Sequence, residues 1–278
     1  SICKHIISST LFNNLLIKYL SLFILSKLKL FLGDCLEILP TLSENSVDMV
    51  LCDLPYGTTQ CSWDSIIPFD PMWKELKRIT KSNGCIVLFG QDKFTVKLIS
   101  SNIKDHKYNL IWNKVLTSGY LNANKMPLRI HEDIIVFYNK QPTYNPQKTI
   151  GNKNHSVGSK SKPITNEAYG KHFYKTDHNK LGNLKHPKSI LEFKTIHPTK
   201  RKHTSEKPIN LLEYLIKTYT NEKDTVLDFT MGSGSTGVAC KNLNRDFIGI
   251  EKNEKYFKIA ENSINSVNLL DFTTNSLS

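Results

Sequence analysis

The stretch that most constrains this chain lies near its carboxyl end. Residues 225–229, Thr-Val-Leu-Asp-Phe, read as a short buried strand. A Gly-rich turn follows, from Thr230 through Met231, Gly232, Ser233, Gly234, Ser235 and Thr236 to Gly237, before a helix predicted over 238–243. Glycines there let the backbone approach a ligand closely, and the helix N-terminus favours a negative group. The next predicted strand, 246–251, ends on Glu251, whose carboxylate can accept from both hydroxyls of a nucleoside ribose. NAD enzymes and other nucleotide binders share such a turn, so the turn alone does not choose among them. The absence of Gly-Lys-Ser/Thr argues against a phosphate-cradling NTPase loop.

The same alternation runs through the rest of the chain. Strand-like runs occur at 28–32, stopping at Gly33-Asp34, at 47–52, stopping at Asp53, and at 85–89, 108–112 and 133–138. Asp70-Pro71 predicts a helix start, with Met72, Trp73, Leu76 and Ile79 at helical spacing and Asn83-Gly84 as its end. Pro208 begins a helix carrying Leu212, Leu215, Ile216 and Tyr219, and Asn253 caps a last one with Phe257, Ala260 and Ile264. Alternating strands and helices predict an α/β fold on a parallel sheet. No internal repeat is present. The 278 residues suit one large α/β domain with an insertion, or two small domains.

The insertion is where periodicity fails. Residues 140–207 hold fifteen Lys/Arg against four Asp/Glu, a net +11 of the chain's +12, and six of its nine histidines. The charge is therefore concentrated on one segment, which suits a polyanion, and nucleic acid is the usual one. The histidine spacing is irregular and reads as plain basic surface, so no metal site is expected. None of the six cysteines forms a C-x-x-C pair, which argues against a zinc ribbon or disulfide framework and for a reducing, cytoplasmic setting. Residues 15–25 are largely apolar but lack a clean cleavage site and are too short to span a bilayer. The expected organisation is an extension at 1–27 of uncertain role, one catalytic domain from 28–140 and 205–265, a basic insertion at 141–204, and a frayed, disordered tail at 266–278.

A second constellation, Asp53-Leu54-Pro55-Tyr56-Gly57, also stands at a strand end. An amino group on an aromatic base is a poor nucleophile, because its lone pair is delocalised into the ring. Two acceptors holding its hydrogens can localise that pair towards an electrophile. Asp53 offers one acceptor and the Leu54 carbonyl another, Pro55 fixes the local backbone, and Tyr56 offers a ring for an extruded base. Asp-x-Pro also starts ordinary turns. Taken together, the two constellations make the chain resemble the amino-methylating DNA methyltransferases, with their Asp-Pro-Pro-Tyr signature and Asp-x-Phe-x-Gly-x-Gly turn. The catalytic signature precedes the cofactor turn and the basic insertion lies between them, so the chain is similar to the permuted β group, as found in phage and bacterial stand-alone or restriction-modification members. Gly33-Asp34 resembles a further family turn, the Asn83-Gly84 and Arg129-Ile130-His131-Glu132-Asp133 segments match in spacing, and His203-Thr204-Ser205-Glu206-Lys207-Pro208 resembles His-Pro-Thr-x-Lys-Pro. The likeness covers roughly 28–265. Leu54 stands where the signature more often has Pro, and Thr204 where the second segment has Pro.

The resemblance implies a Rossmann-like fold that binds S-adenosylmethionine (SAM) and needs no metal. It implies a SAM site formed by Asp34 near the adenine, Glu251 on the ribose, Asp228, Phe229, Gly232, Gly234 and Ser235 in the turn, and His203 and Lys207 beside the methionine end. Asp53, Leu54, Pro55 and Tyr56 become the catalytic group, acting on a flipped base of double-stranded DNA. Lys153, Lys160, Lys162, Lys171, Lys175, Lys200, Arg201 and Lys202 of the insertion become the DNA-binding set. Asp at position 53 favours adenine N6 within the family. N4-cytosine methylation, RNA methylation and an inactive DNA-binding protein are the alternatives. No Pro-Cys occurs, so the cysteine chemistry of ring-carbon methylation is not expected. A monomer or homodimer is expected, and a restriction endonuclease partner is not legible.

Overall fold

The structure is a computed structural model, describing residues 27–57, 65–152, 164–166, 170–172, 182–196, 199 and 206–267. Residues 1–26 and the tail after 267 lie outside the described residues. Twelve strands are described: β1 Leu28–Leu32, β2 Val47–Cys52, β3 Thr80–Gly90, β4 His106–Ser118, β5 Arg129–Phe137, β6 Thr149–Ile150, β7 Ile164–Asn166, β8 Gly170–His172, β9 Leu184–Lys185, β10 Ile190–Glu192, β11 Thr225–Asp228 and β12 Asp246–Glu251. The α-helices are α1 Cys35–Ile38, α2 Phe69–Ile79, α3 Asp92–Ser101, α4 Ile209–Tyr219, α5 Ser235–Asn242 and α6 Glu254–Asn265.

Eight strands form one sheet in the order β1-β12-β11-β2-β3-β5-β4-β10. Apolar side chains alternate between its two faces, as the pleat demands. Val50, Cys52, Ile86 and Leu88 face one core with Met72, Leu76, Phe94 and Leu98 of α2 and α3. Met49, Leu51, Val87 and Phe89 face the other with Leu211, Leu215, Ala239 and Ile264 of α4, α5 and α6. The sheet is thus covered on both sides, which is why its strands read as near-continuous apolar runs.

Two adjacent strands set the site. β11 and β2 pair in parallel, with Val226 opposite Met49 and Leu227 opposite Val50. From β11 the chain winds outward through α5 to β12, and from β2 it winds the other way through α2 to β3. Their carboxyl ends therefore flank a switch point, where doubly wound sheets leave a crevice.

Several local expectations need correction. The sheet is mixed, because β5 runs antiparallel to both β3 and β4. Apolar runs do not record direction. The ten residues between β4 and β5 carry only a single 3₁₀ turn, too little for the crossover that parallel neighbours need. Helix α2 begins at Phe69 behind Pro68, so Asp70 lies in its first turn and is not its cap. It ends at Ile79, and Asn83-Gly84 falls inside β3. Ile190–Glu192, within the expected insertion, is an edge strand on β4. A separate compact unit spans Pro146–Lys188 and holds the two small sheets β6–β9 and β7–β8. Among the described residues no helix is long and apolar enough to cross a membrane.

Gly84 has a packing role in place of a turn role. A Cβ there would lie 2.7 Å from the Asp48 carbonyl oxygen and 2.7 Å from the Thr80 methyl. Gly84→Ala is therefore expected to lower stability by about 1–3 kcal/mol, read from the urea midpoint, whereas a glycine in an open turn would tolerate alanine.

Candidate active site

The turn after β11 is organised by one buried carboxylate. Asp228 Oδ2 accepts from Thr236 Oγ1 at 2.6 Å, and Oδ1 accepts from the Thr230 amide and the Cys52 thiol, each at 3.2 Å. Burial pushes its pKa up to about 6 despite these donors. Gly232 and Gly234 take left-handed φ values of 53° and 83°. A Cβ at Gly234 would sit 2.9 Å from the Ala260 Cα, so this glycine also lets the turn pack on α6. Phe229 is sunk in the core, and Ser235 Oγ meets Glu206 Oε1 at 3.4 Å.

Glu251 closes the other side of the turn. Its Oε2 accepts from the Gly232 amide at 2.9 Å and its Oε1 from the Asn253 amide at 2.8 Å. Each oxygen keeps a lone pair for a further donor. Burial raises its pKa. Asp34 stands at the next strand end, where Oδ1 caps the Leu36 amide at 2.9 Å and Oδ2 pairs with Lys252 at 2.9 Å. These groups line a cavity of about 410 Å³. A vicinal diol suits the paired free lone pairs of Glu251, and the glycine backbone admits a close ligand, so the donor set fits the nucleoside of SAM.

The second turn opens into the same cavity. Asp53, Leu54 and Pro55 line it with Asp34, Gly232, Glu251 and Lys207. The two turns are tied directly, since Thr230 Oγ1 donates to the Asp53 main-chain carbonyl at 2.9 Å. Tyr56 donates its hydroxyl to Asp53 Oδ1 at 2.9 Å, and its ring packs on Phe94 with centroids 4.7 Å apart. The Cys52 thiol lies close by but is fully buried, and burial with the neighbouring Asp228 holds its pKa far above the ordinary range, so it stays neutral.

Lys207 joins this group to residues distant in the sequence, Glu132, Lys114 and Phe89. Its ammonium pairs with Asp53 Oδ2, stands 3.4 Å from Glu132 Oε2 and lies 4.9 Å from the centre of the Phe89 ring. Glu132 pairs in turn with Lys114. Its Oε2 is buried without a hydrogen-bond partner. Burial opposes every charge in this cluster. Burial and the nearby Glu132 raise Asp53 against the pull of Lys207, whereas pairing outweighs burial at Glu132, which Lys207 and Lys114 bring below its usual value, and at Lys207, which Asp53 and Glu132 hold above its own. Burial that raises a carboxylate pKa makes that carboxylate a better proton acceptor.

Glu132 and Asp133 stand together in the sequence, and pairing decides between them. Asp133 sits opposite Gly90 and takes a 2.7 Å bond from Thr95, whereas Glu132 faces Lys207, the partner of Asp53. Of the other predicted residues, His203, Lys153, Lys160, Lys162, Lys175, Lys200, Arg201 and Lys202 lie outside the described residues, as does the side chain of Lys171 in β8. Among the described residues no three His, Cys, Asp or Glu side chains are grouped as a metal site.

Asp228 generates a pH test. Its folded pKa of about 6 exceeds the ordinary 3.8, so folding takes up a proton between those values. Its contribution to stability is complete below pH about 4 and is lost as pH rises through about 6, by up to about 3 kcal/mol. Melting temperatures of wild type and Asp228→Asn between pH 4 and 7.5 check this. The decline with rising pH is expected to flatten in the variant.

Residues 47–262 match the family model of the N6/N4 DNA methylases. The chain is 27% identical over 253 residues to the type II methyltransferase M.HpaI of Haemophilus parainfluenzae, covering 86% of this chain and 74% of the relative. It is 28% identical over 266 residues to the type II methyltransferase M2.DpnII of Streptococcus pneumoniae, covering 87% and 91%. In fold it is similar to the M1.HpyAVI–SAM complex, with TM-score 0.56, 24% identity, and 86% and 99% of the two chains covered. It is also similar to PvuII DNA methyltransferase, described as cytosine-N4-specific, with TM-score 0.63, 16% identity, and 90% and 91% covered. The family model spans most of the chain, and the chain therefore belongs to the N6/N4 DNA methylases, as a SAM-dependent, amino-methylating DNA methyltransferase.

Proposed function

We propose that the enzyme methylates adenine N6 in double-stranded DNA, on a base flipped out of the helix into the cavity described above. The observation that carries this reading is the opening of Asp53, the Leu54 turn and Glu251 into one cavity. Bound SAM supplies a methyl group on a sulfonium, which is already a good electrophile. Glu251 holds the ribose, Asp34 flanks the adenine, and the backbone at Gly232 lets the cofactor come close. Asp53 and the Leu54 carbonyl accept the two amino hydrogens and align the nitrogen lone pair with the methyl, so positioning supplies much of the acceleration. The nitrogen that gains a methyl must shed a proton, and the partly buried carboxylate of Asp53 is the acceptor beside it. The Tyr56 ring, packed on Phe94 and adjoining Pro55 of the cavity wall, is the surface proposed for stacking of the base.

Lys207 gives this scheme a condition. An ammonium on Asp53 repels the positive charge that develops on the methylated nitrogen. Glu132 Oε2, 3.4 Å from Lys207 and otherwise unpartnered, is the place to which that ammonium withdraws. The basic insertion, with Lys153, Lys160, Lys162, Lys171, Lys175, Lys200, Arg201 and Lys202, grips phosphates, and its affinity falls with salt. By the family likeness, His203 and Lys207 are assigned to the methionine end of SAM. Four described cysteines are free and buried, which suits the cytoplasm. N4-cytosine is the second reading, favoured by the fold likeness to a cytosine-N4-specific enzyme, since the same two acceptors serve either amino group.

Transfer of labelled methyl to unmethylated duplex, followed by mass analysis of the nucleosides, tests this directly. N6-methyladenine is expected, N4-methylcytosine selects the second reading, and no transfer to any DNA overturns both. Asp53→Ala should cost at least about 10²–10³ in turnover while calorimetric SAM affinity stays within a few-fold. Glu132→Gln leaves Lys207 with Asp53 alone, and should lower kcat by about tenfold or more with little change in SAM affinity.

A further inference from the structure

β4 and β5 continue past the carboxyl edge of the sheet as a finger closed by the ten residues between Ser118 and Arg129. Large apolar side chains stand in water at its end, where Leu121 is 99% exposed and Tyr120 68%, with Leu116 and Met126 about half exposed behind them. Exposed apolar clusters of this kind mark contact surfaces. The tip is nevertheless well built. Gly119, at φ 88°, opens a 3₁₀ turn. The amides of Asn122, Ala123, Lys125 and Met126 donate to the carbonyls of Gly119, Tyr120, Asn122 and Asn122 at 2.8–3.1 Å. The Tyr120 hydroxyl is held by Thr117 Oγ1 at 2.7 Å. Leu121 is thus presented on a formed turn.

The root of the finger is the catalytic cluster. Lys114 of β4 pairs with Glu132 of β5, and Glu132 faces the Lys207 that contacts Asp53. A second brace joins Arg129 to Asp92 at 2.6 Å and to Gln91 at 3.1 Å. From Asn113 to His131 there is no Asp or Glu, while Lys114, Lys125, Arg129 and His131 occur. β4 bulges here, with five steps from Asn113 to Ser118 facing only two of β5, from His131 to Arg129. The reach is set by the shorter strand, whose three steps from Glu132 to Arg129 cover about 10 Å, comparable with the roughly 8.5 Å depth of a major groove. Two copies of a finger with no acidic residue repel one another, whereas a polyanion attracts it.

We infer that this finger is a DNA wedge, with Tyr120 and Leu121 entering the duplex beside the target base and filling the space that base leaves. Apolar side chains inserted between base steps offset unstacking in this way. The inference rests on the proposed flipping of the base. It places a duplex contact at the active site itself, on a segment separate from the basic insertion.

The test uses the full chain carrying Tyr120→Ala, Leu121→Ala or both, with a duplex bearing 2-aminopurine next to the target base. Both side chains are exposed, so melting temperatures should match wild type. The double variant is expected to lose about tenfold or more in kcat/KM for DNA and most of the fluorescence rise, with SAM affinity unchanged. Its deficit should shrink on a duplex mismatched at the target, where flipping is easier, and Leu121→Phe should retain activity. Wild-type kcat/KM and fluorescence in the double variant would overturn the wedge and leave the methyltransferase reading intact. So would a deficit equal on matched and mismatched duplexes, or a variant that loses only self-association in size-exclusion chromatography. Absence of transfer by wild type itself overturns the functional reading, and the wedge with it.

Discussion

The active site depends on two parallel strands that end side by side and then diverge. β11 and β2 are neighbours in the sheet, yet their chains leave in opposite directions. That divergence opens the crevice, and a short polar chain spans it. Asp228 holds Thr236, Thr230 and Cys52, and Thr230 holds the Asp53 carbonyl. The cofactor turn and the catalytic turn are consequently one hydrogen-bonded unit. On the roles proposed above, a shift in either strand end moves Asp53 and the Leu54 carbonyl relative to Glu251, and methyl transfer depends on that alignment.

Electrostatics in the crevice is shaped by burial first and by pairing second. Carboxylates at Asp53, Asp228 and Glu251 all sit where water is scarce, and all three are raised. Asp228 is served by neutral donors alone, whereas Asp53 and Glu132 share the Lys207 ammonium, and Lys114 adds a second cation at Glu132. Breaking one partner out of such a cluster leaves an uncompensated buried charge, which costs far more than losing a surface ion pair. The cluster also joins the catalytic turn to β5, so the antiparallel strand is part of the site as well as of the sheet.

Much of the architecture was legible in the chain. The apolar runs marked the central strands because strands buried on both faces need no polar alternation. Asn253 was legible as a cap, and its side chain accepts from the Lys255 and Tyr256 amides. Other local signals misled. Asn83-Gly84 has the composition of a turn, but Gly84 stands in a strand that passes close to the Asp48 carbonyl. Helix α3 carries Phe94 and Leu98 into the core, yet begins without a side-chain cap and was not anticipated. The edge strand at Ile190–Glu192 is three residues long and mostly exposed, too short to show a period.

The amino-acid sequence by itself determined the kinds of groups available, their order along the chain and the concentration of positive charge between them. It carried Asp53 and Leu54, which we propose as the acceptors, the glycines and Glu251 of the second turn, and the order in which the two turns follow one another. Tertiary structure alone decided which of these groups meet. Lys207 reaches an aspartate 154 residues away, and Thr230 reaches a carbonyl 177 residues away. Glu132 enters the site while its neighbour Asp133 turns to Thr95, because adjacent residues on a strand point to opposite faces and strand pairing selects between them. Tyr56, read from sequence as a stacking ring, also donates to Asp53. Such pairings depend on strand order, register and direction, and those follow from how the whole apolar pattern packs into one sheet rather than from any local run of residues.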